Sequence, residues 1–457
     1  MAQPLDQEAM QTAHDTAMNS NGQPQDDLLA RKLNQVKIHD KDNSSRSALL
    51  TNNDNEEVDD EVDAEIQHAP LLSETSFSKD NRDAVPQFGL LGSHERAMLF
   101  LNTNAPFSAF ICGVQGSGKS HTTACILENA LTPSKQLGRL EKPLSALVFS
   151  YGQFGGDGSG FSISEAAFLG APNPSYPDNA HVKKVHVLVS PSNYVKMSKL
   201  YLRVPNVSAL KFKLKPQNLD IEIMLTLMNV ITQIFRQMAT EGFGFNYLTF
   251  KARLKKCRVN PAQINMLQMR LGLLESFLDL DNSCPIPQFN EGEVTIMDMS
   301  CPFVDANTAC ILFRIGLQRY LQSKAAGKMV VLYEAHRICI PSPYILPNPG
   351  AKALNESLLA TIQPMLLTNL IALCSVTVIH RFSSPEWFAA IKRHVAMKPE
   401  EHHMVMRAIE SLKTGTAFAA IIWKDEEGRL VKGVGKFLDL KVRKRVTNDG
   451  GQSVLAV

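Results

Sequence analysis

Eight residues constrain this chain more than any others: Gly113, Val114, Gln115, Gly116, Ser117, Gly118, Lys119 and Ser120. They fit G-x-x-x-x-G-K-[ST] at every position, with the apolar run PFSAFICG before them and the helical pattern HTTACILENAL after them. The spacing therefore predicts a strand, a tight turn and a helix in that order. Glycines let the backbone curl until successive N–H groups face one centre, and the positive end of the helix dipole favours an anion there. Lys119 is placed to reach the β and γ phosphates of a nucleotide, and the Ser120 hydroxyl to coordinate Mg²⁺. His121 is the last residue expected to line the phosphates, while Thr122 and Thr123 are expected only to begin the helix. No Asn-Lys-x-Asp for reading guanine occurs in the sequence, so ATP is the expected ligand.

The rest of the chain supplies a setting for that loop. From Gln87 onward, short apolar runs alternate with helical patterns, which is the rhythm of an α/β fold. LSALVFSY, KKVHVLVSPSN, EVTIMDMS, KMVVLYEAH and SVTVIHRF read as further strands. Residues of about 219–280 form long amphipathic patterns with no strand among them, so they are expected to be a helical insertion. A second helix is expected from about Ala353 to Leu373, and an antiparallel hairpin turning at DEEG should close the fold.

Before this region lies a different texture. Residues 1–85 are rich in Asp, Asn, Gln and Ser and include the acidic block DNEEVDDEVDAE. Such a stretch buries too little apolar surface to offset its chain entropy, and it is expected to be a disordered acidic tail. The expected organisation is that tail, a nucleotide-binding domain over 86–447, and a flexible end over 448–457.

Composition excludes several classes of function. The 47 basic and 45 acidic residues leave a net charge of +2, so any polyanion partner would need a local patch. The densest basic cluster, KARLKKCR, reads more simply as a solvated helix face. There is no run of 18 apolar residues and no signal-like start, which leads to the expectation of an intracellular protein of cytoplasm or nucleus, without a membrane partner. The 8 cysteines show no metal-ligand spacing and are expected to be reduced.

Hydrolysis would need a second half of the site, because phosphoryl transfer is mostly a matter of positioning and electrostatics. An apolar strand beside the loop commonly ends in Asp-Glu, the first carboxylate holding Mg²⁺ and the second orienting water. KMVVLYEAH offers Glu334 in the second position and Tyr333 in the first. A phenol with a pKa near 10 is a poor ligand for a hard cation. Glu334 is the candidate catalytic base, against the simpler alternative of a surface carboxylate at a strand end. Asp298, ending EVTIMD, is a candidate metal ligand or else a cap for the next helix.

GVQGSGKSHTT, VTIMDMSCPFVD, VVLYEAHRI, VTVIHRFSSPEW and LKVRKRVTNDGG, taken in order, resemble the HerA/FtsK-like P-loop ATPases. More closely, they resemble a large fungal group of P-loop NTPase-like proteins. The resemblance spans most of Gln87 to Gly451. It implies a RecA-like core with a central, mostly parallel sheet, ATP with Mg²⁺, and in HerA-type members a hexameric ring that moves DNA. It carries Lys119 and Ser120 over as phosphate and Mg²⁺ residues and Glu334 as the base. Arg443 and Arg445 match an Arg-x-Arg-x-Thr ending near the nucleotide or a neighbouring subunit, although a basic strand end or a nuclear-import signal explains them equally. Arg381 is a third candidate for such an arginine.

Two departures qualify the resemblance. One is Tyr333. The other is the stretch Leu358 to Val376, shorter than in related proteins, where Gln363 is a candidate remnant of the Thr-Gln-like sensor that ends a further strand in those proteins. Two functions follow as expectations: an ATP hydrolase of the DNA-translocase type, or a nucleotide-binding scaffold or switch that does not turn its ligand over.

Overall fold

The chain enters the fold earlier than its sequence suggests. Leu71–Ser73 form a strand (β1) in which Leu71 and Leu72 are buried, inside the stretch expected to be a disordered tail. Three residues carry too little pattern to stand out beside an acidic run. The computed structural model describes residues 67–74, 85–152, 163–176, 178–216, 219, 232–241, 245–256, 261–281, 284, 288–333, 374–393, 399–419, 422–424, 430–432 and 438–449.

Phe88–His94 (β2) and Ala97–Asn102 (β3) then form an antiparallel hairpin. Ala109–Cys112 (β4) leads into the glycine-rich loop and the helix Lys119–Leu131 (α1), as the motif requires. Gly138–Arg139 (β5) pairs with β2. Next come Ser145–Ser150 (β6), Lys184–Val189 (β7), the helix Tyr194–Tyr201 (α2) and Val207–Lys211 (β8).

Between β8 and Glu293–Asp298 (β9) the described chain carries three helices, Thr232–Thr240 (α3), Tyr247–Lys256 (α4) and Pro261–Phe277 (α5). Phe235 and Phe250 stack with ring centroids 5.0 Å apart, and both are fully buried, which joins this helical segment to the main core. Asp305 caps the following helix, Ala306–Leu321 (α6), by accepting from the Thr308 amide at 2.7 Å. Lys328–Leu332 (β10) follows. The helix expected over 353–373 lies outside the described residues.

The C-terminal part comprises Val376–Ile379 (β11), the helices Pro385–Ile391 (α7) and His402–Ser411 (α8), and the strands Thr416–Ala419 (β12), Ile422–Lys424 (β13), Leu430–Lys432 (β14) and Leu438–Val442 (β15). The expected closing hairpin is doubled: β13 pairs antiparallel with β14, and β12 pairs antiparallel with β15.

These strands make two sheets rather than the single, mostly parallel one implied by the family resemblance. Five strands in the order β10-β6-β9-β7-β8 are parallel throughout. The apolar runs of the inner strands β6, β9 and β7 are largely buried, as parallel sheets require, while the edge strands β10 and β8 are mostly half-buried. The other sheet has ten strands, runs β14-β13-β1-β3-β2-β15-β12-β11-β4 with β5 beside β2, and is mixed in direction. The loop-bearing strand β4 ends this mixed sheet, and β10 ends the parallel one.

Helix α1 fits between the two. Ala124, Leu127, Ala130 and Leu131 pack with Ala146, Val148, Val294 and Ile296 of the parallel sheet. Cys125 and Ile126 pack with Val376, Val378, Ala417 and Leu440 of the mixed sheet. A helix apolar on so much of its circumference belongs inside a protein rather than on its surface.

Candidate functional site

The loop is anchored by its neighbour before it turns. β4 lies parallel to β11 with Cys112 beside Ile379, and pairing continues past both strand ends: the His380 amide donates to Cys112 O at 2.8 Å and the Val114 amide to Arg381 O at 2.9 Å. The chain then folds back, with the Ser117 amide and hydroxyl both donating to Val114 O, at 3.2 and 2.7 Å. Lys119 Nζ reaches the same carbonyl at 2.9 Å, so the ammonium sits across the mouth of the loop.

Two motif glycines are required by geometry. Gly113 has φ 148°, and a Cβ there would come within 2.6 Å of both His380 Cβ and Ser117 Oγ. Gly118, the residue before α1, has φ 110° and provides no side-chain cap. The first turn of α1 thus has no side-chain cap, and uncapped amides together with the helix dipole favour an anion. Val114, Gln115 and Gly116 are exposed at the apex, while Ser117 is buried.

Beneath the loop lies His380, fully buried. Its Nδ1 is 3.1 Å from Thr416 O and its Nε2 is 2.9 Å from Thr122 Oγ1. A carbonyl only accepts, so Nδ1 carries the proton and the Thr122 hydroxyl donates to Nε2. Burial pushes its pKa down to about 4, opposed chiefly by the bond to Thr416 O; the charges of Lys119 and His121 add smaller depressions. Thr122 therefore does more than begin a helix. The sequence shows His380 only as a polar residue closing an apolar strand.

Arg443 and Arg445 do not face the loop. All five N–H donors of Arg443 are used: Nε to Leu90 O, Nη1 to Glu128 Oε2 and Lys444 O, and Nη2 to Cys125 O and Asn129 Oδ1. Arg445 bonds Thr447 and Glu165 and lies 3.6 Å from Glu128 Oε1. Glu128, on the buried flank of α1, also accepts from the Val446 and Thr447 amides. A buried carboxylate needs such partners, and it draws both guanidinium groups away from any phosphate. The expectation that these arginines bind nucleotide is corrected to an internal ion-pair network. Of the three candidate arginines, Arg381 is the one that remains exposed, and its carbonyl already touches the loop.

His121 lies beside this network, its Nε2 donating to Arg443 O at 2.8 Å and its Nδ1 3.7 Å from Asp449. Its ring is turned to the C-terminal segment. Asn448, in the expected flexible end, donates its amide to Ala171 O at 2.7 Å.

Asp298 is likewise committed. It is 1% exposed, with Oδ2 accepting from Tyr201 OH at 2.6 Å and Oδ1 from the Ser300 amide at 3.0 Å. Desolvation raises its pKa despite these bonds. β6 separates its strand from β10, and among the described residues no group of three metal-ligating side chains occurs. Asp298 is a buried hydrogen-bond acceptor, and α6 is capped by Asp305 instead.

Tyr333 extends the pairing of β10, its amide donating to Phe149 O at 3.0 Å. Its side chain packs with the cluster that includes Ala124 and Leu127 of α1. The hydroxyl is sealed from solvent and has no hydrogen-bond partner among the described residues. Burial raises its pKa, with Arg445, Glu165 and Cys125 as the groups that act on it. The phenol thus packs against the cluster that holds α1. Glu334 and Gln363 lie outside the described residues.

No family model matches the sequence, and no curated protein matches it. The chain is similar to the solved structure of VirB4 of Thermoanaerobacter pseudethanolicus, with 12% identity over 79% of this chain and 97% of that one and a TM-score of 0.45. Similarity at that level transfers no activity. The resemblance to HerA/FtsK-like proteins, and to the fungal group, rests on the order of the motifs.

Proposed function

We propose that the chain binds a nucleoside triphosphate, ATP by preference, through the loop Gly113 to Ser120. The observation that carries this reading is the loop itself: positive-φ glycines, an uncapped helix start and the Lys119 ammonium converge on one exposed mouth. The phosphates would lie against the α1 amides, Lys119 would neutralise their charge, and Ser120 would contribute one oxygen to Mg²⁺. Bound Mg²⁺ would supply charge neutralisation between the phosphates, mostly with water and phosphate ligands. Hydrolysis in this reading depends on Glu334 orienting water, and Gln363 on sensing the γ phosphate. Arg381 is the arginine available to a neighbouring subunit, and DNA and a ring assembly are partners by resemblance.

Isothermal titration with ATP and Mg²⁺ tests the central claim. Wild type should bind, and Lys119→Ala should weaken binding by at least tenfold; failure of wild type to bind ends the proposal. Turnover abolished by Glu334→Gln supports an enzyme. Stimulation by duplex DNA at low salt, where phosphate contacts are strongest, supports a DNA motor, and no stimulation removes it.

A second reading is favoured by two specific observations, the inward phenol of Tyr333 and the occupied carboxylate of Asp298. With neither acidic group offered to a metal, ATP would serve as a structural ligand or switch. Such a ligand stabilises a fold by ~2.7 kcal/mol at a hundred times its dissociation constant. Turnover appearing only in Tyr333→Asp would establish this reading.

A further inference from the structure

We propose that His380 is the positioning residue of the phosphate loop, a neutral imidazole that fixes the loop's anion-accepting shape before any ligand arrives. The inference rests on the reading of Gly113 to Ser120 as a phosphate site, but its geometry is independent of which phosphate compound binds. His380 is the point where three segments of the chain meet. Its backbone continues the β4–β11 pairing into the loop, its Nδ1–H donates to Thr416 O of β12, and its Nε2 accepts from Thr122 in the first turn of α1. The ring also lies 3.5 Å from where a Cβ on Gly118 would be, and its own Cβ excludes one from Gly113. The loop therefore bends over this side chain with no room to flatten.

The tautomer matters as well as the shape. Thr122 needs an acceptor and Thr416 O needs a donor, and only the neutral Nδ1–H form supplies both. Donors aimed in advance at the position of charge cost no reorganisation when the ligand binds. A buried histidine that merely filled space would satisfy its own nitrogens without coupling the helix start to β12.

The test uses the full chain with Thr122→Val, which removes the hydroxyl at nearly constant shape, together with His380→Gln and His380→Ala. In the nucleotide-free protein, amide hydrogen exchange over residues 113–122 should rise about tenfold in Thr122→Val, the loss of one neutral hydrogen bond, while α8 keeps wild-type protection. ATP affinity should fall by a similar factor. His380→Gln, which retains a donor and an acceptor on one amide, should recover part of the loss seen in His380→Ala. ¹⁵N spectra of the wild-type histidines should show an Nδ1–H tautomer for the resonance lost in His380→Gln. Should His380→Ala fail to fold, Thr122→Val alone decides.

Loop exchange unchanged in Thr122→Val, equal acceleration throughout the protein, or an Nε2–H tautomer would each overturn the proposal. A wild type that binds no ATP while loop exchange responds as described would overturn the nucleotide reading and leave the positioning role standing.

Discussion

Arg443 Nη1 lies 2.7 Å from Glu128 Oε2, joining the end of the last strand to the interior flank of the helix that follows the glycine-rich loop. Both side chains are out of solvent, so removing one leaves the other charged and unpaired. Arg443→Ala should destabilise the protein by ~3–5 kcal/mol, read from urea unfolding, the usual cost of breaking a buried pair. Replacing both residues by Met should recover much of that loss, because the desolvation of both charges is then avoided. ATP affinity in whatever fraction folds should stay near wild type, since neither residue faces the loop.

The Tyr333 hydroxyl is buried without a partner among the described residues. An unsatisfied buried polar group costs roughly 1–3 kcal/mol, so Tyr333→Phe should leave stability unchanged or raise it by about 1 kcal/mol. Thermal melting of the two proteins side by side measures this. A loss of more than 1 kcal/mol would mean that the hydroxyl has an acceptor.

His380 titrates at about 4 when folded, below the ordinary histidine value, because burial disfavours its cation. The unfolded chain therefore takes up a proton that the folded one refuses. The contribution is complete above the unfolded pKa near 6.5 and is lost as pH falls towards 4. Its size at the limit is roughly 3 kcal/mol. Unfolding free energy measured from pH 7 to pH 4.5 should fall more steeply in wild type than in His380→Gln.

The glycines of the loop should differ. Gly113→Ala places a Cβ against His380 and Ser117, whereas a Cβ at Gly116 meets open space. Overpacking of the first kind costs roughly 1–3 kcal/mol beyond backbone strain, while Gly116→Ala should cost only the ~1–2 kcal/mol of a left-handed alanine. Denaturant midpoints of the two variants test the order.

Legibility in the sequence followed distance along the chain. Gly113 to Ser120 was readable because strand, turn and helix are contiguous, and the apolar strands β6, β7, β9 and β11 because each announces itself in one short run. The β2–β3 hairpin was not, since a register shift between Leu90 and Gly92 breaks the alternation that marks a strand. The partners of Arg443 and Asp298 were hidden for a different reason. Glu128 lies 315 residues from Arg443, and Tyr201 lies 97 from Asp298, so no local pattern links them. Charged residues near a motif invite a functional reading, and only the packing shows that α1 claims the arginines for itself.

Helix α1 touches the parallel sheet on one flank and the mixed sheet on the other, so a ligand at its first turn that shifted the helix would act on both. By thermodynamic reciprocity, a ligand that prefers one seating of the two sheets is itself preferred by that seating, by the same factor. If two such seatings exist, substitutions at Val148 or Ile296 on one side, or at Val378 on the other, should change the loop's affinity for its ligand. The affinity of an anion for Lys119 would then gauge how the two halves of the core are set.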